Sequence, residues 1–365
     1  RYFLPELPLE RHTVMNRTFL ARAMGLALLM ATIGSLLAFD QEPLPTHGLR
    51  PDPYFTPIDG KDTLKMPRVI MRNMLEDRGG DIWFATFGGP IRYDGQVFTN
   101  FAEEVGLPQR RIFSLLEDRA GVLWFGSITG GASRYDGKSV RNFTKSNGLP
   151  SNDVNWIFED RDGNIWFGTE KGVSRFAEEK LTNFSTEDGF LHDSVYAITQ
   201  DAGGKIWFGT QGGICFYDGE AFTDFGAQIG RTFSNIRTTV VDRGGNVWFG
   251  GEQGAFRYDG KVVTAFTSKN GLVADFVGSM IVDRSGGLWM GHPGGFPAGQ
   301  GGGATHFDGK SFKPFTKAEG LNITDVYCML EDSAGRIWFG SAGSGACRYD
   351  GKVFVDFSAV PSAGK

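Results

Sequence analysis

The sequence has few cysteines, no excess of basic charge and no long apolar run. Its three cysteines, Cys215, Cys328 and Cys347, form neither a disulfide framework nor a zinc-ligand pattern. Each falls in a predicted strand and reads as a small buried hydrophobe. The 37 Lys and Arg residues are outnumbered by 42 Asp and Glu, for a formal net charge of −5. A nucleic-acid binder needs a concentrated basic surface to displace phosphate counterions, so that class is excluded. The main apolar run, Ala23–Ala38, is shorter than the ~20 residues a spanning helix prefers. No nucleophile elbow, Gly-rich phosphate loop or His-x-x-x-His pair occurs, so no catalytic residue, metal site or cofactor is expected.

The N-terminal part reads as targeting sequence. Met15 opens a stretch with Arg17 and Arg22 ahead of the apolar run. Basic residues before a short apolar core describe a secretory signal or, uncleaved, an N-terminal anchor over residues 15–39. Residues 1–14 read as an upstream extension. Residues 40–57 carry Pro43, Pro45, Pro51, Pro53 and Pro57 and read as an extended linker. The expected location is periplasmic or extracellular, with membrane contact only through that anchor.

What the chain has in abundance is glycine, 53 residues, and aromatics, 13%. Together they suggest tight turns between half-buried strands. Trp83, Trp124, Trp166, Trp207, Trp248, Trp289 and Trp338 recur at steps of 41, 42, 41, 41, 41 and 49. An Asp stands six residues before each of them, and a Gly about three before most. Each unit reads as four strands. In the third these are Val154–Glu159 (A), Asn164–Gly168 (B), Val173–Phe176 (C) and Leu181–Phe184 (D). Six of seven C–D turns carry Asp-Gly, which predicts two-residue hairpins with positive φ at both positions. The third repeat has Ala177-Glu178-Glu179 instead, which predicts a longer or differently shaped turn.

One such unit cannot bury both its faces, whereas seven closed into a ring can. The expected fold is all-β, a seven-bladed β-propeller of four-stranded antiparallel blades over residues 58–365. Tyr54–Thr56 resembles the end of an eighth D strand, so the N-terminal segment is expected to add to or replace a strand in the closing blade.

The runs Gly-Leu-Pro-Ser-Asn-Asp-Val at 148–154 and Glu-Asp-Arg-Asp-Gly-Asn-Ile-Trp-Phe-Gly-Thr at 159–169 resemble two-component regulator propeller repeats. Gly320-Leu321, with Glu331-Asp332 through Gly340, repeats the signature. The resemblance implies an extracytoplasmic sensing fold. The chain shows no kinase motif and no second membrane segment, so any signal output is expected from a separate partner such as a sensor kinase.

Strand A of each blade is expected to line the channel. Six residues before the repeat Asp, every blade has an apolar residue. Five before it stand Arg72, Phe113, Asn155, Tyr196, Arg237, Gly278 and Tyr327. Rings for stacking and guanidinium groups for a carboxylate or sulfate make Arg72, Phe113, Asn155, Tyr196, Arg237 and Tyr327 candidate ligand-binding residues at the channel mouth. The bland alternative is a water-filled channel whose lining varies freely. His292 is added to the candidates, because it replaces Thr, Ser or Gly in the rim-facing B–C segment Gly291–Gly303, which carries eight residues more than its counterparts. Trp156 has no counterpart in other repeats and reads as local repacking of the core.

The expected function is recognition of a small molecule or glycan. A protein-interaction platform is one alternative. The other is a metal-dependent lyase resembling streptogramin lyase, which requires His192, Glu252 and His292 to converge. The paired histidines of that family are not matched, since Gly251 stands one repeat before His292.

Overall fold

Seven antiparallel sheets, each built from consecutive strands, form the ring that the repeat predicts. In blade 3 the strands are Val154–Glu159, Ile165–Thr169, Gly172–Ala177 and Lys180–Phe184, in spatial order A-B-C-D. The other A strands are Met71–Glu76, Ile112–Glu117, Val195–Gln200, Ile236–Val241, Ser279–Val282 and Cys328–Glu331. Each A strand touches that of the next blade, and the last touches the first, which closes the ring. The computed structural model describes residues 62–63, 66, 69–294 and 301–358. The segments read as a signal and a linker, Tyr54–Thr56 and residues 295–300 lie outside the described residues. Among the described residues no helix is long and apolar enough to cross a membrane.

The Asp and Trp of each repeat are partners. Trp Nε1 donates to Asp Oδ2 at 2.7–3.0 Å in all seven blades. The other Asp oxygen accepts backbone N–H groups of the A–B turn, as Asp160 Oδ1 does from Asp162 and Asn164. The glycine three before each Trp has φ between 76° and 93°, the left-handed region that side chains rarely adopt. The tryptophans are buried, and the buried hydrophobics form seven clusters, one at each seam between blades. At the seam of blades 2 and 3, for example, Trp124 and Phe143 pack on Phe167 and Phe176.

The C–D turns differ from the prediction. Tyr93 pairs with Phe98, so four residues, Asp94–Val97, make the turn. Only Gly95 has positive φ there, and Asp94 Oδ1 accepts the N–H groups of Gln96 and Val97. Aspartate serves as a side-chain cap and needs no left-handed backbone. The third repeat holds the two-residue hairpin: Ala177 pairs with Lys180, and Glu178 and Glu179 have φ of 49° and 62°.

The closing seam has an extra clip. Asp62–Thr63 pairs antiparallel with strand D of blade 1, as a fifth strand. Met66 then bridges to Ser358 beyond strand D of blade 7, its N–H donating to Phe357 O at 2.8 Å. The N-terminal segment therefore adds to blade 1 and bridges to blade 7.

Candidate functional site

The first residue of strand A in the first five blades, and its equivalents Val277 and Val326, are fully buried. The residue after it sits in a β-bulge. In blade 1 Met71 pairs with Thr86 and Asn73 with Ala85, leaving Arg72 outside the ladder. The same shift isolates Phe113, Asn155, Tyr196 and Arg237. A bulge re-aims side chains beside a site. Here it turns a strand residue away from the seam and into the channel.

The result is a cavity of about 650 Å³ at the channel mouth. Arg72, Phe113, Asn155, Tyr196, Arg237 and Tyr327 all line it, as does Gly278. So do residues that sequence reading placed elsewhere or passed over. Trp156 is half-buried: it packs against the hydrophobic cluster at the seam of blades 3 and 4 and also lines this wall. Its neighbour on the bulge, Asn155, also faces the cavity, so two successive residues are presented there. Glu170, Glu252, Asp153 and Asn235 come from the B–C turns and D–A connections on the same rim. Glu170 and Glu252 hold equivalent places just after strand B, a periodic signal that comparison of B–C turns would have found.

The two arginines are held by aromatic faces. The Arg72 guanidinium carbon lies 4.6 Å from the Phe113 ring centre and 5.3 Å from that of Tyr327. That of Arg237 lies 3.9 Å from the Tyr196 ring centre. Phe113 in turn stacks on Phe87 at 5.3 Å. Burial pulls the Arg72 guanidinium below its ordinary pKa; Tyr327 works against that and Arg237 adds to it. Burial raises the Tyr196 phenol, with Arg237 opposing and Glu170 reinforcing the shift.

The carboxylates on the rim have polar partners of their own. Asn155 Nδ2 donates to Glu170 Oε1 at 2.8 Å, and Asn235 Nδ2 to Glu252 Oε1 at 2.5 Å. Asp153 Oδ1 accepts the Thr129 N–H at 2.7 Å, which ties a D–A connection to the preceding B–C turn. Asn235 has a φ of 50°, a left-handed conformation that asparagine tolerates better than most residues.

His292 lies apart from the other six candidates. Its ring is fully buried, with Nδ1 3.0 Å from Phe276 O and Nε2 2.8 Å from Thr305 Oγ1. A carbonyl can only accept, so Nδ1 carries the proton and Nε2 accepts from the threonine hydroxyl. That hydroxyl also accepts the Val273 N–H. In other blades a Thr or Ser at this place donates to the carbonyl of the first strand-C glycine, as Thr169 does to Gly172. His292 pairs with Gly303 in the same way, but its side chain turns to Phe276 and Thr305 instead. The next residue, Pro293, fills the sixth place of the ring: a Cβ on Gly278 would stand 2.6 Å from Pro293 Cγ. Glu252 lines the cavity; His192 and His292 do not. Among the described residues no three His, Cys, Asp or Glu side chains are grouped to hold a metal ion.

No curated protein sequence matches the chain. Among solved structures, the extracellular domain of a hybrid two-component system from B. thetaiotaomicron is 22% identical, with a TM-score of 0.66. The match covers 79% of this chain and 39% of that one, so this chain spans well under half of its length. Virginiamycin B lyase from Staphylococcus aureus, in a catalytically inactive form with quinupristin, is 14% identical with a TM-score of 0.59. That match covers 79% of this chain and 99% of the lyase. At these identities the likeness is one of fold. The family model of the two-component regulator propeller matches residues 106–129, 148–171, 189–212 and 320–343. Each match runs from the Gly that ends one D–A helix, through strand A and the Asp–Trp pair, to the B–C turn. The chain is a seven-bladed ring, and four of its seven repeats match the two-component regulator propeller model.

Proposed function

We propose that this protein is an extracytoplasmic sensor propeller that binds a small molecule or glycan at its channel mouth and feeds a separate signalling partner. The observation that carries the reading is the bulge ring. Six chemically diverse side chains from six blades converge on one concave space, three aromatic, two cationic and one amide. Concave sites with flat apolar faces and a few fixed polar groups are where ligands bind. The likeness to an extracellular domain of a two-component system supports an exported location and a signalling role. We read the site as binding rather than catalytic, because neither His192 nor His292 brings an imidazole to the cavity.

The test is a thermal-shift screen of the full chain against neutral and acidic saccharides and amino acids, beside Phe113→Ala and Tyr196→Ala. Saturation at a hundredfold excess over Kd stabilises the folded state by about 2.7 kcal/mol. One compound class is expected to raise the wild-type midpoint and to lose that effect in both variants. No response from any class would reject a small-molecule or glycan ligand and make a protein partner the leading reading.

A further inference from the structure

Two guanidinium groups share the cavity, and among the described residues neither makes an ion pair or a hydrogen bond. Each is positioned by stacking on aromatic rings, which leaves its in-plane N–H donors for another partner. Arg237 Nε is buried with no acceptor, and so is the Ser279 hydroxyl on the neighbouring blade, also on the cavity wall. The nearby carboxylates do not answer this need. Glu170 and Glu252 are instead engaged by Asn155 and Asn235. Two like charges held in one half-buried space, with donors unmatched, form a site preorganised for an anion.

We infer that the ligand carries an oxyanion, a carboxylate or sulfate group, seated by Arg72 and Arg237 with the Ser279 hydroxyl beside them. The rim carboxylates Glu170 and Glu252 then accept from hydroxyl groups on the remainder of the ligand, which the Tyr196 ring borders. This rests on the ligand-binding reading above and narrows it to acidic ligands.

The full chain is titrated at constant ionic strength with sodium sulfate, galacturonate and galactose, followed by thermal shift and calorimetry. Galacturonate is expected to bind at least about tenfold more tightly than galactose, the difference one well-formed charged contact supplies. Arg72→Gln and Arg237→Gln should each lose about that factor for the acid while keeping the ligand-free unfolding midpoint. A response to sulfate without one to galacturonate would assign the site to sulfated compounds. Equal binding of galactose and galacturonate, unaffected by the arginine variants, would overturn the oxyanion and leave the cavity a ligand site. Silence towards both sulfate and galacturonate while a neutral compound binds would do the same. Failure of the ligand-binding reading itself is distinct, since no compound of the wider screen would then respond.

Discussion

Ser333 donates its backbone N–H to one oxygen of the Glu76 carboxylate at 2.5 Å and its hydroxyl to the other at 2.6 Å, joining the last blade to the first. The contact belongs to a collar on the rim opposite the cavity. The residue after the repeat Asp in one blade donates its N–H to the Glu or Gln that ends strand A of the next. Arg78 does so to Glu117, Arg119 to Glu159, Arg161 to Gln200 and Arg284 to Glu331. The arginines also reach the next A–B turn, as Arg78 does to Asp118 O. Blades 5 and 6 end strand A with Val241 and Val282, and there the collar is interrupted.

Removing the Glu76 carboxylate should therefore loosen the closing seam more than removing Glu117 loosens an internal one. Internal seams are also held by the covalent chain that runs from blade to blade, whereas blades 7 and 1 lack that connection and are joined by packing, by this contact and by the hydrogen-bonded clip at Met66. Both contacts are solvent-exposed, so each substitution by Ala should cost only about 1 kcal/mol in denaturant unfolding. The distinguishing readout is hydrogen exchange. Glu76→Ala should speed exchange in Met71–Glu76 and Cys328–Glu331 together, while Glu117→Ala should act at its own seam. Identical exchange patterns would show that the collar does not govern closure.

The glycine of the Trp-Phe-Gly run is fixed by how closely blades approach. A Cβ on Gly209 would lie 2.9 Å from Ile236 Cγ2 and 3.0 Å from Ile236 O in the next A strand. Gly168 and Gly250 meet Val195 and Val277 in the same way. Gly209→Ala should destabilise by about 1–3 kcal/mol through overpacking of this seam. Blade 1 carries Ala85 at the equivalent place, fully buried, so Ala85→Gly should cost less than Gly209→Ala. Equal and small effects on the unfolding midpoint would mean that the ring absorbs a methyl group by shifting its blades.

The fold was legible because its markers are repeated and local: an Asp, a left-handed Gly and a Trp at fixed spacing, each with one job at a seam. The candidate ring was legible for a related reason. All six of its members occupy the same place in strand A, and variation at that place contrasts with the uniformly apolar residue before it. The bulge that aims them was not legible, because a register shift depends on the paired strand. Trp156 was assigned to the core by the small core-facing residues at its place in other repeats, and its larger ring packs on that seam and also reaches the cavity. His292 was placed on the rim by its position in the repeat. Its buried place follows from Phe276 and Thr305, partners 16 and 13 residues away in sequence. The C–D turns were misjudged because Asp-Gly suits both a left-handed pair and an aspartate cap, and composition alone does not separate them.

Burial holds the His292 imidazole down, to a pKa of about 4, against an ordinary value of 6.5. The folded state therefore resists protonation while the unfolded chain accepts a proton below about pH 6.5. The His292 contribution is complete above that pH and is lost as pH falls to about 4, by an amount on the order of 3 kcal/mol. His292→Asn removes the titration and keeps an amide able to meet Phe276 O or Thr305. The variant should be less stable than wild type at pH 7 but lose less stability between pH 7 and 4.5. Parallel pH profiles would show that His292 titrates alike in the folded and unfolded states.

Trp156 gives the cavity an intrinsic probe. The seven repeat tryptophans are at most 5% exposed, and each donates its indole N–H to its Asp, so a small neutral quencher reaches them only when the ring opens. Trp156 alone is half-buried on the wall of an open space. Acrylamide should therefore quench a distinct fraction of the emission, and Trp156→Phe should remove most of that fraction, whereas Trp166→Phe should dim the protected emission and disturb the fold. The substitution keeps a flat apolar ring at the site, so stability should change little. A bound ligand should shield Trp156 from acrylamide in wild type, and the protection should saturate with the same dissociation constant as the calorimetric signal. Quenching that survives in Trp156→Phe would place the accessible indole elsewhere in the ring and remove this residue from the cavity wall.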